Sequence, residues 1–256
     1  MPFKRGKGRG SPKRSAPKGP RSKGFWARAW RILKWPIALI VLVVLSYQVV
    51  IASSIIWMRW NNPSSSAFID LERERLSSLK PPVKIRQTWV SYNAISRSIK
   101  QAVIAAEDSG FSQHDGIDWE AMERAARENL KRGKIKRGGS TITMQLAKNM
   151  FLSPERSYLR KAQEVVAAGM MEVVLDKRRI LELYLNVAEW GVGVFGIEAA
   201  ARHYFGISAS ELDPIQSAWL ASILPAPRRF DRQRESEWIN EKSLIILDRM
   251  PKVALP

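Results

Sequence analysis

The sequence predicts a predominantly α-helical protein with one membrane-crossing helix, and three observations support this. An uncharged apolar run of 23 residues occupies residues 36–58. Beyond it, apolar residues recur at helical spacing, as at Ile95, Ile99 and Val103. Alternating Val, Ile and Thr over strand lengths is scarce. We therefore expect an all-α fold without internal repeats.

Residues 1–35 form a basic tail, rich in Lys, Arg, Gly, Ser and Pro, whose first two dozen residues are expected to be disordered. Up to Ile69 the chain has 13 basic residues and no acidic one, whereas the rest has 29 basic and 24 acidic residues. The net charge of +18 is thus mostly a property of the tail, and we expect no nucleic-acid partner. Cysteine is absent, which excludes disulfides and Cys-ligated metals.

The apolar run at residues 36–58 is predicted to be a transmembrane helix. As a helix it would be about 34 Å long, enough for a hydrocarbon core of about 30 Å. Trp30, Trp35, Trp57 and Trp60 flank it as interfacial anchors. The dense Lys and Arg before it place the tail in the cytoplasm and the rest outside. A secretory signal peptide is the alternative, although the run is long and no small-residue cleavage site follows.

After the span, residues 59–67 are predicted to be a linker, and residues 68–256 the working domain. The first motif of that domain is EDSGFSQHDG at residues 107–116, after a helix predicted over about residues 93–106. The negative end of that helix and the neighbouring Asp108 would both raise the pKa of Glu107. A raised pKa improves a carboxylate as a general base for a hydroxyl group. The alternative is a solvated acidic helix end with a turn at Gly110.

A second motif, KRGGSTITMQLAKN, occupies residues 136–149. Its two glycines make the backbone flexible, Ser140 or Thr141 is the expected N-cap residue, and a helix is predicted to follow. Free amide groups at a helix start beside Lys and Arg suit a phosphate. An ordinary capped helix explains the same pattern.

A third cluster begins with Arg156 and continues with Arg160, Lys161 and Glu164. The last three fall within about one helical turn, so the cluster can hold a pyrophosphate. It can equally pair internally through salt bridges four residues apart, which is the commoner outcome.

Five motifs in one order resemble the monofunctional biosynthetic peptidoglycan transglycosylases, also called peptidoglycan glycosyltransferases of family 51. They are E-D-x-x-F-x-x-H-x-G, G-G-S-T-I-T-x-Q-L-x-K-N, R-K-x-x-E, I-L-E-x-Y-L-N and G-V-F-G-I-E-A-A-A-R-H-Y-F, between residues 107 and 205. The resemblance spans about residues 89–229. One departure is Met144, where the family usually has Gln.

The resemblance implies a lysozyme-like helical lobe with a smaller jaw lobe that dips into the membrane, here at residues 117–137. It implies a bacterial inner-membrane enzyme with a periplasmic catalytic domain. The enzyme would polymerise lipid II into β-1,4-linked glycan strands and release undecaprenyl diphosphate, with inversion and a general base.

Carried over by motif, the catalytic residues would be Glu107 and Glu164, with Glu182 structural. Predicted substrate-binding residues are Asp108, Phe111, His114, Ser140, Thr141, Gln145, Lys148, Asn149, Arg156, Arg160 and Lys161. Of these, Lys148, Arg156, Arg160 and Lys161 would hold the pyrophosphate. No cofactor is required, but a divalent cation, Mg²⁺ or Mn²⁺, is a candidate at the pyrophosphate, and no metal site is assigned.

The expected partners are lipid II, the growing lipid-linked strand and an anionic membrane, with cell-division and wall-synthesis proteins as candidates. In the jaw, Trp119, Met122, Leu130 and Ile135 are apolar and neighbouring Lys and Arg are basic. This composition suits a membrane surface, and equally a helix packed on the body.

Three alternative functions are open. A lysozyme-like hydrolase or lytic transglycosylase shares a single catalytic Glu but does not need the cationic cluster. A bifunctional penicillin-binding protein needs a Lys-Thr-Gly motif, which the sequence lacks. A non-enzymatic membrane-tethered binding protein would leave the ordered motifs unexplained.

Overall fold

The computed structural model describes residues 23–132, 139–155 and 157–256 and confirms a predominantly helical fold. The chain divides into two compact units, Met1–Gln48 and Val49–Pro256. The helices of the described residues are α1 Lys23–Met58, α2 Ala67–Ser77, α3 Arg97–Glu107, α4 Trp119–Arg132, α5 Ile142–Phe151, α6 Tyr158–Val174, α7 Lys177–Val187, α8 Ile197–Phe205, α9 Pro214–Ile223, α10 Pro227–Phe230 and α11 Glu237–Arg249.

The first helix is long and apolar enough over Ile32–Met58 to cross a membrane. Its last turns belong to the second unit, where Ile51 and Ile55 are buried in the core. Arg179 on α7 donates from Nε to the Met58 carbonyl (2.9 Å) and from a terminal nitrogen to the Asn61 carbonyl (2.6 Å). A cation therefore satisfies carbonyl groups where the long helix ends.

Side-chain caps explain where most of the helices in the second unit begin. In each case a Ser, Thr or Asp side chain accepts the amide of the residue three positions later, which satisfies one of the unpaired donors of a helix start. The capping residues are Ser66, Ser96, Thr141, Ser157, Asp176 and Asp213.

The third helix lies at the centre of the second unit. It packs on α9 and α11, and four consecutive residues, 102–105, are buried. The helix begins at Arg97 after a 3₁₀ turn at Tyr92–Ala94, later than the sequence pattern indicated, because Ser96 supplies the cap. Its burial fixes the position of Glu107, its last residue.

Beside the helices lies a small sheet that the sequence did not predict. Its strands, β1 Arg86–Gln87, β2 Glu189–Gly191 and β3 Val194–Phe195, are too short to give a period-two pattern. The order is β1-β3-β2, with β1 parallel and β2 antiparallel to β3. At Gly196, φ is 80° and a Cβ would lie 2.8 Å from the Asn186 carbonyl oxygen, so this turn can pack against α7 only with glycine.

Candidate active site

Glu107 ends α3 with its side chain partly buried. Burial is the largest effect and raises the pKa of this carboxyl, and the nearby Asp108 raises it slightly. A hydrogen bond from Gln145 and the charges of Lys242 and Lys148 oppose the rise. The predicted direction of the pKa shift agrees with the structure, but the main cause is loss of solvent rather than the neighbouring carboxylate.

Gln145 on α5 connects Glu107 to a buried tyrosine. Its Nε2 donates to Glu107 Oε2 at 2.8 Å, and its Oε1 accepts from the Tyr184 hydroxyl at 3.0 Å. Tyr184 lies on α7 and is 2% exposed. One hydrogen-bonded chain thus joins α7, α5 and α3.

A cleft of about 270 Å³ opens beside Gln145, and we call it the cationic cleft. Its lining is mostly polar and contains three cations, one carboxylate and Met144, the position that departs from the family motif. The lining residues are Ser140, Met144, Gln145, Lys148, Arg160, Lys161 and Glu164. Burial lowers the pKa values of Lys148 and Lys161, and the positive charge of Arg160 lowers both further. Clustered, partly desolvated cations of this kind favour binding of an anion.

Glu164 balances the charge of this cleft. It is 3% exposed and pairs with Arg160, while its Oε2 accepts from Lys161 Nζ at 2.8 Å. Lys161 also donates to Ser140 Oγ at 2.8 Å. The internal pairing considered from the sequence is therefore present, but the buried Nε of Arg160 has no hydrogen-bond partner among the described residues. This N–H group can therefore donate a hydrogen bond to one additional acceptor.

A second cleft of about 190 Å³ shares Gln145 and Lys148 with the cationic cleft. Asn149, another predicted site residue, lines it, as does Glu189. Lys148 Nζ lies 5.4 Å from the centre of the Phe68 ring. Glu107 lines neither cleft itself and meets them through Gln145.

Asp108, predicted to bind substrate, is buried and engaged with protein groups. Its Oδ2 accepts from the Ile142 amide at 3.0 Å, and its Oδ1 pairs with His114 Nε2 at 2.9 Å. Neither Asp108 nor His114 lines the two clefts. This carboxylate ties the loop after α3 to the start of α5.

Thr141 caps α5 and is also buried. Its hydroxyl accepts from the Met144 amide (3.2 Å) and donates to the Gly116 carbonyl (2.5 Å). The Ile142 amide donates to Asp108 Oδ2, so the amides of Ile142 and Met144 at the start of α5 both donate to protein side chains. The expectation that free amides here would hold a phosphate is therefore wrong for these two groups.

Phe111 is fully buried in the core, with Lys177 Nζ 4.6 Å from its ring centre.

In the jaw, Trp119 and Leu130 of α4 are exposed. Arg156 and residues 133–138, which include the end of the jaw with Ile135, lie outside the described residues. Glu182 accepts from the Tyr92 amide at 2.9 Å and pairs with Arg179, as a structural residue would.

Two residues near Glu107 were given no role from the sequence. Tyr184 stands within the fourth matched motif, so the motif itself was the available signal. Lys242 on α11 influences the Glu107 carboxyl through its charge, and it lies outside all five motifs. Nothing in the local sequence distinguishes it from a solvated lysine.

Comparison with known proteins gives a consistent result. The profile of the family described as Transglycosylase matches residues 73–251. The chain is 48% identical over 226 residues to the biosynthetic peptidoglycan transglycosylase of Janthinobacterium sp. (strain Marseille), covering 88% of this chain and 98% of the relative. The protein of that name in Bordetella pertussis is 48% identical over 231 residues (89% and 96%), and that of Nitrosomonas eutropha 50% over 221 residues (86% and 91%).

Proposed function

Because this chain belongs to the transglycosylase family, as a biosynthetic peptidoglycan transglycosylase, we propose that it joins lipid II into β-1,4-linked glycan strands by an inverting, general-base reaction. It is a peptidoglycan glycosyltransferase, as the resemblance implied, and not the hydrolase kept as an alternative. The observation that carries the mechanism is the contact between Glu107, whose pKa is raised, and Gln145, which lines the cationic cleft.

In the proposed reaction, a Glu107 carboxylate oxygen removes the proton from the 4-hydroxyl group of the acceptor N-acetylglucosamine. The acceptor's 4-hydroxyl oxygen attacks the anomeric carbon of the donor strand as the bond from this carbon to the diphosphate oxygen breaks. The α-linked donor becomes a β-1,4 linkage, and undecaprenyl diphosphate leaves. The raised pKa of Glu107 suits a group that must accept a proton near neutral pH.

The leaving diphosphate would be stabilised in the cationic cleft. Lys148, Arg160 and Lys161 are clustered there, and the Nε–H of Arg160 has no acceptor within the part of the chain that the structure describes. Fixed cations at the position where negative charge develops lower the barrier without reorganising during the reaction. In this proposal Glu164 acts through these cations, because it pairs with both Arg160 and Lys161. Arg156 would join them, as the motif implies.

The candidate Mg²⁺ or Mn²⁺ would have Glu164 as its carboxylate ligand. Both oxygens of Glu164 already face cationic side chains. Among the described residues, no group of three His, Asp or Glu side chains is placed to hold a metal ion. The donor set here does not fit a metal site built by the protein alone, so we derive no step through a cation.

One N-terminal apolar helix is consistent with a single-pass membrane anchor. We place the basic tail in the cytoplasm and the catalytic domain in the periplasm, on the charge asymmetry of the sequence. Contact of the jaw with anionic lipid is supported by the exposure of Trp119 and Leu130 on α4. Cell-division and wall-synthesis proteins remain proposed partners.

Polymerisation of labelled lipid II by the detergent-purified protein tests this mechanism. Glu107→Gln keeps the size of the side chain but cannot accept the proton, so it should lose about 10²- to 10⁴-fold in rate. Glu198→Gln, which changes another buried carboxylate, is the matched control and should keep its rate per folded molecule. If Glu107→Gln keeps more than about a tenth of the rate while Glu164→Gln loses nearly all of it, the base is Glu164.

A further inference from the structure

The hydroxyl of Tyr184 has a single described acceptor, the Oε1 atom of Gln145 at 3.0 Å. The opposite end of that amide donates to Glu107 Oε2 at 2.8 Å. Tyr184 is 2% exposed, so its side chain is almost entirely enclosed by protein. The three side chains come from sequence positions 38 and 39 residues apart and meet in the interior.

A glutamine amide has one acceptor end and one donor end, and the two differ little in shape. If the amide of Gln145 turned over, its oxygen would face the Glu107 carboxylate, and two acceptors would be opposed at hydrogen-bond distance. The Tyr184 hydroxyl favours the observed orientation as long as it keeps its proton to donate. Burial, with the negative charges of Glu107 and Asp108, raises the pKa of Tyr184 well above its ordinary value, so it stays protonated.

We propose that Tyr184 is a positioning residue that orients the Gln145 amide so that its NH₂ group faces Glu107. This inference rests on the proposed role of Glu107 as the general base. Burial favours the protonated, inactive form of Glu107, and the charge of Asp108 adds to this. The bond from Gln145 opposes the effect, together with the charges of Lys242 on α11 and Lys148 on α5. By fixing this bond, Tyr184 extends the pH range in which the base is ionised.

The test is the pH dependence of kcat/KM for Tyr184→Phe in the lipid II polymerisation assay. Removing the hydroxyl releases the amide and weakens its bond to Glu107, so the apparent pKa of the rising limb should increase by about half a pH unit to one pH unit. The rate would then fall roughly three- to tenfold on the acidic limb. At the high-pH plateau it should stay within about twofold of the wild-type rate, since Glu107 is ionised there.

Tyr204→Phe is the matched control. The Tyr204 hydroxyl donates to the Trp190 carbonyl at 2.8 Å, and this bond lies outside the chain from Tyr184 to Glu107. Both variants remove a tyrosine hydroxyl that makes a hydrogen bond and should melt at lowered temperatures, but only Tyr184→Phe should move the pH profile. In a Gln145→Leu background, Tyr184→Phe should add no further change in apparent pKa.

An unchanged apparent pKa in Tyr184→Phe would overturn the inference, as would an equal change in Tyr204→Phe or full additivity with Gln145→Leu. Glu107→Gln in the same assay separates this failure from that of the proposed function. An inactive Glu107→Gln with an unmoved Tyr184→Phe profile refutes only the positioning role. An active Glu107→Gln with the wild-type pH profile refutes the base, and the positioning role with it.

Discussion

Replacing Asp108 by Ala distinguishes a substrate ligand from a residue that holds the fold together. Asp108 is 7% exposed and accepts from the Ile142 amide while it pairs with His114. Its removal would leave the first amide of α5 and one imidazole nitrogen without their partner. We therefore expect the folded state to lose stability, with activity falling mainly because less protein is folded.

The size of the effect follows from these two contacts. A buried polar group left without its partner costs about 1–3 kcal/mol, so the two together cost about 2–6 kcal/mol. Natural domains have only about 5–15 kcal/mol of stability. At roughly 2–4 °C per kcal/mol for a unit of this size, the unfolding midpoint should fall by about 4–24 °C. Asp108→Asn keeps one acceptor for the amide and should cost only about 1 kcal/mol.

The assay is thermal unfolding by circular dichroism in detergent, with polymerisation measured on the fraction that remains folded. Asp176→Ala is the control, because Asp176 caps α7 by accepting the Arg179 amide at 2.7 Å but is exposed. Loss of such a cap costs about 1 kcal/mol. An Asp108→Ala protein that melts within about 2 °C of wild type yet cannot polymerise lipid II would contradict a structural role for Asp108. Asp108 would then bind substrate, as the motif resemblance implies.

Four further predictions concern the cations, the membrane segment and pH. Arg160→Ala and Lys161→Ala should each slow turnover at least tenfold, because stabilisation of the leaving group is lost; tenfold corresponds to about 1.4 kcal/mol of barrier. If the melting temperature collapses together with activity, these residues form a structural ion network instead. Deleting Met1–Gln48 should reduce activity on bilayers more than on detergent-dispersed lipid II, whereas deleting residues 1–60 should reduce both, since it removes buried core residues of the second unit. A reporter that works only in the periplasm should be active when it is fused to the C-terminus. If only a cytoplasmic reporter is active there, the predicted topology is wrong. The rate should rise with pH through an apparent pKa above that of an ordinary Glu carboxyl, because burial raises the pKa of Glu107 and the base must be ionised to act; a flat profile in this range would exclude Glu107 as the titrating group.

Local chemistry was readable from the sequence where cause and effect lie within a few residues. Thr141 caps the helix that follows two glycines, and Arg160, Lys161 and Glu164 meet because they share one helical turn. The helical character of residues 68–256 followed from apolar spacing and from the scarcity of alternating Val, Ile and Thr over strand lengths. Even the end of α3 was placed within one residue, because the acidic pair and Gly110 interrupt the apolar pattern.

The interactions that control the base could not be read in this way, because each depends on packing between distant helices. Gln145 reaches Glu107 across 38 positions, and Asp108 reaches the Ile142 amide across 34. From the sequence, Asp108 and Glu107 are equivalent neighbouring carboxylates; in the fold, one has its oxygens committed to protein donors and the other is desolvated with a single amide partner. The difference arises because α3 ends between them: Asp108 reaches the first amide of α5, whereas Glu107 meets the Gln145 side chain about one turn further along the same helix. A motif can specify which residues are present, but only the packing of α3, α5 and α7 determines which carboxylate is free to take a proton.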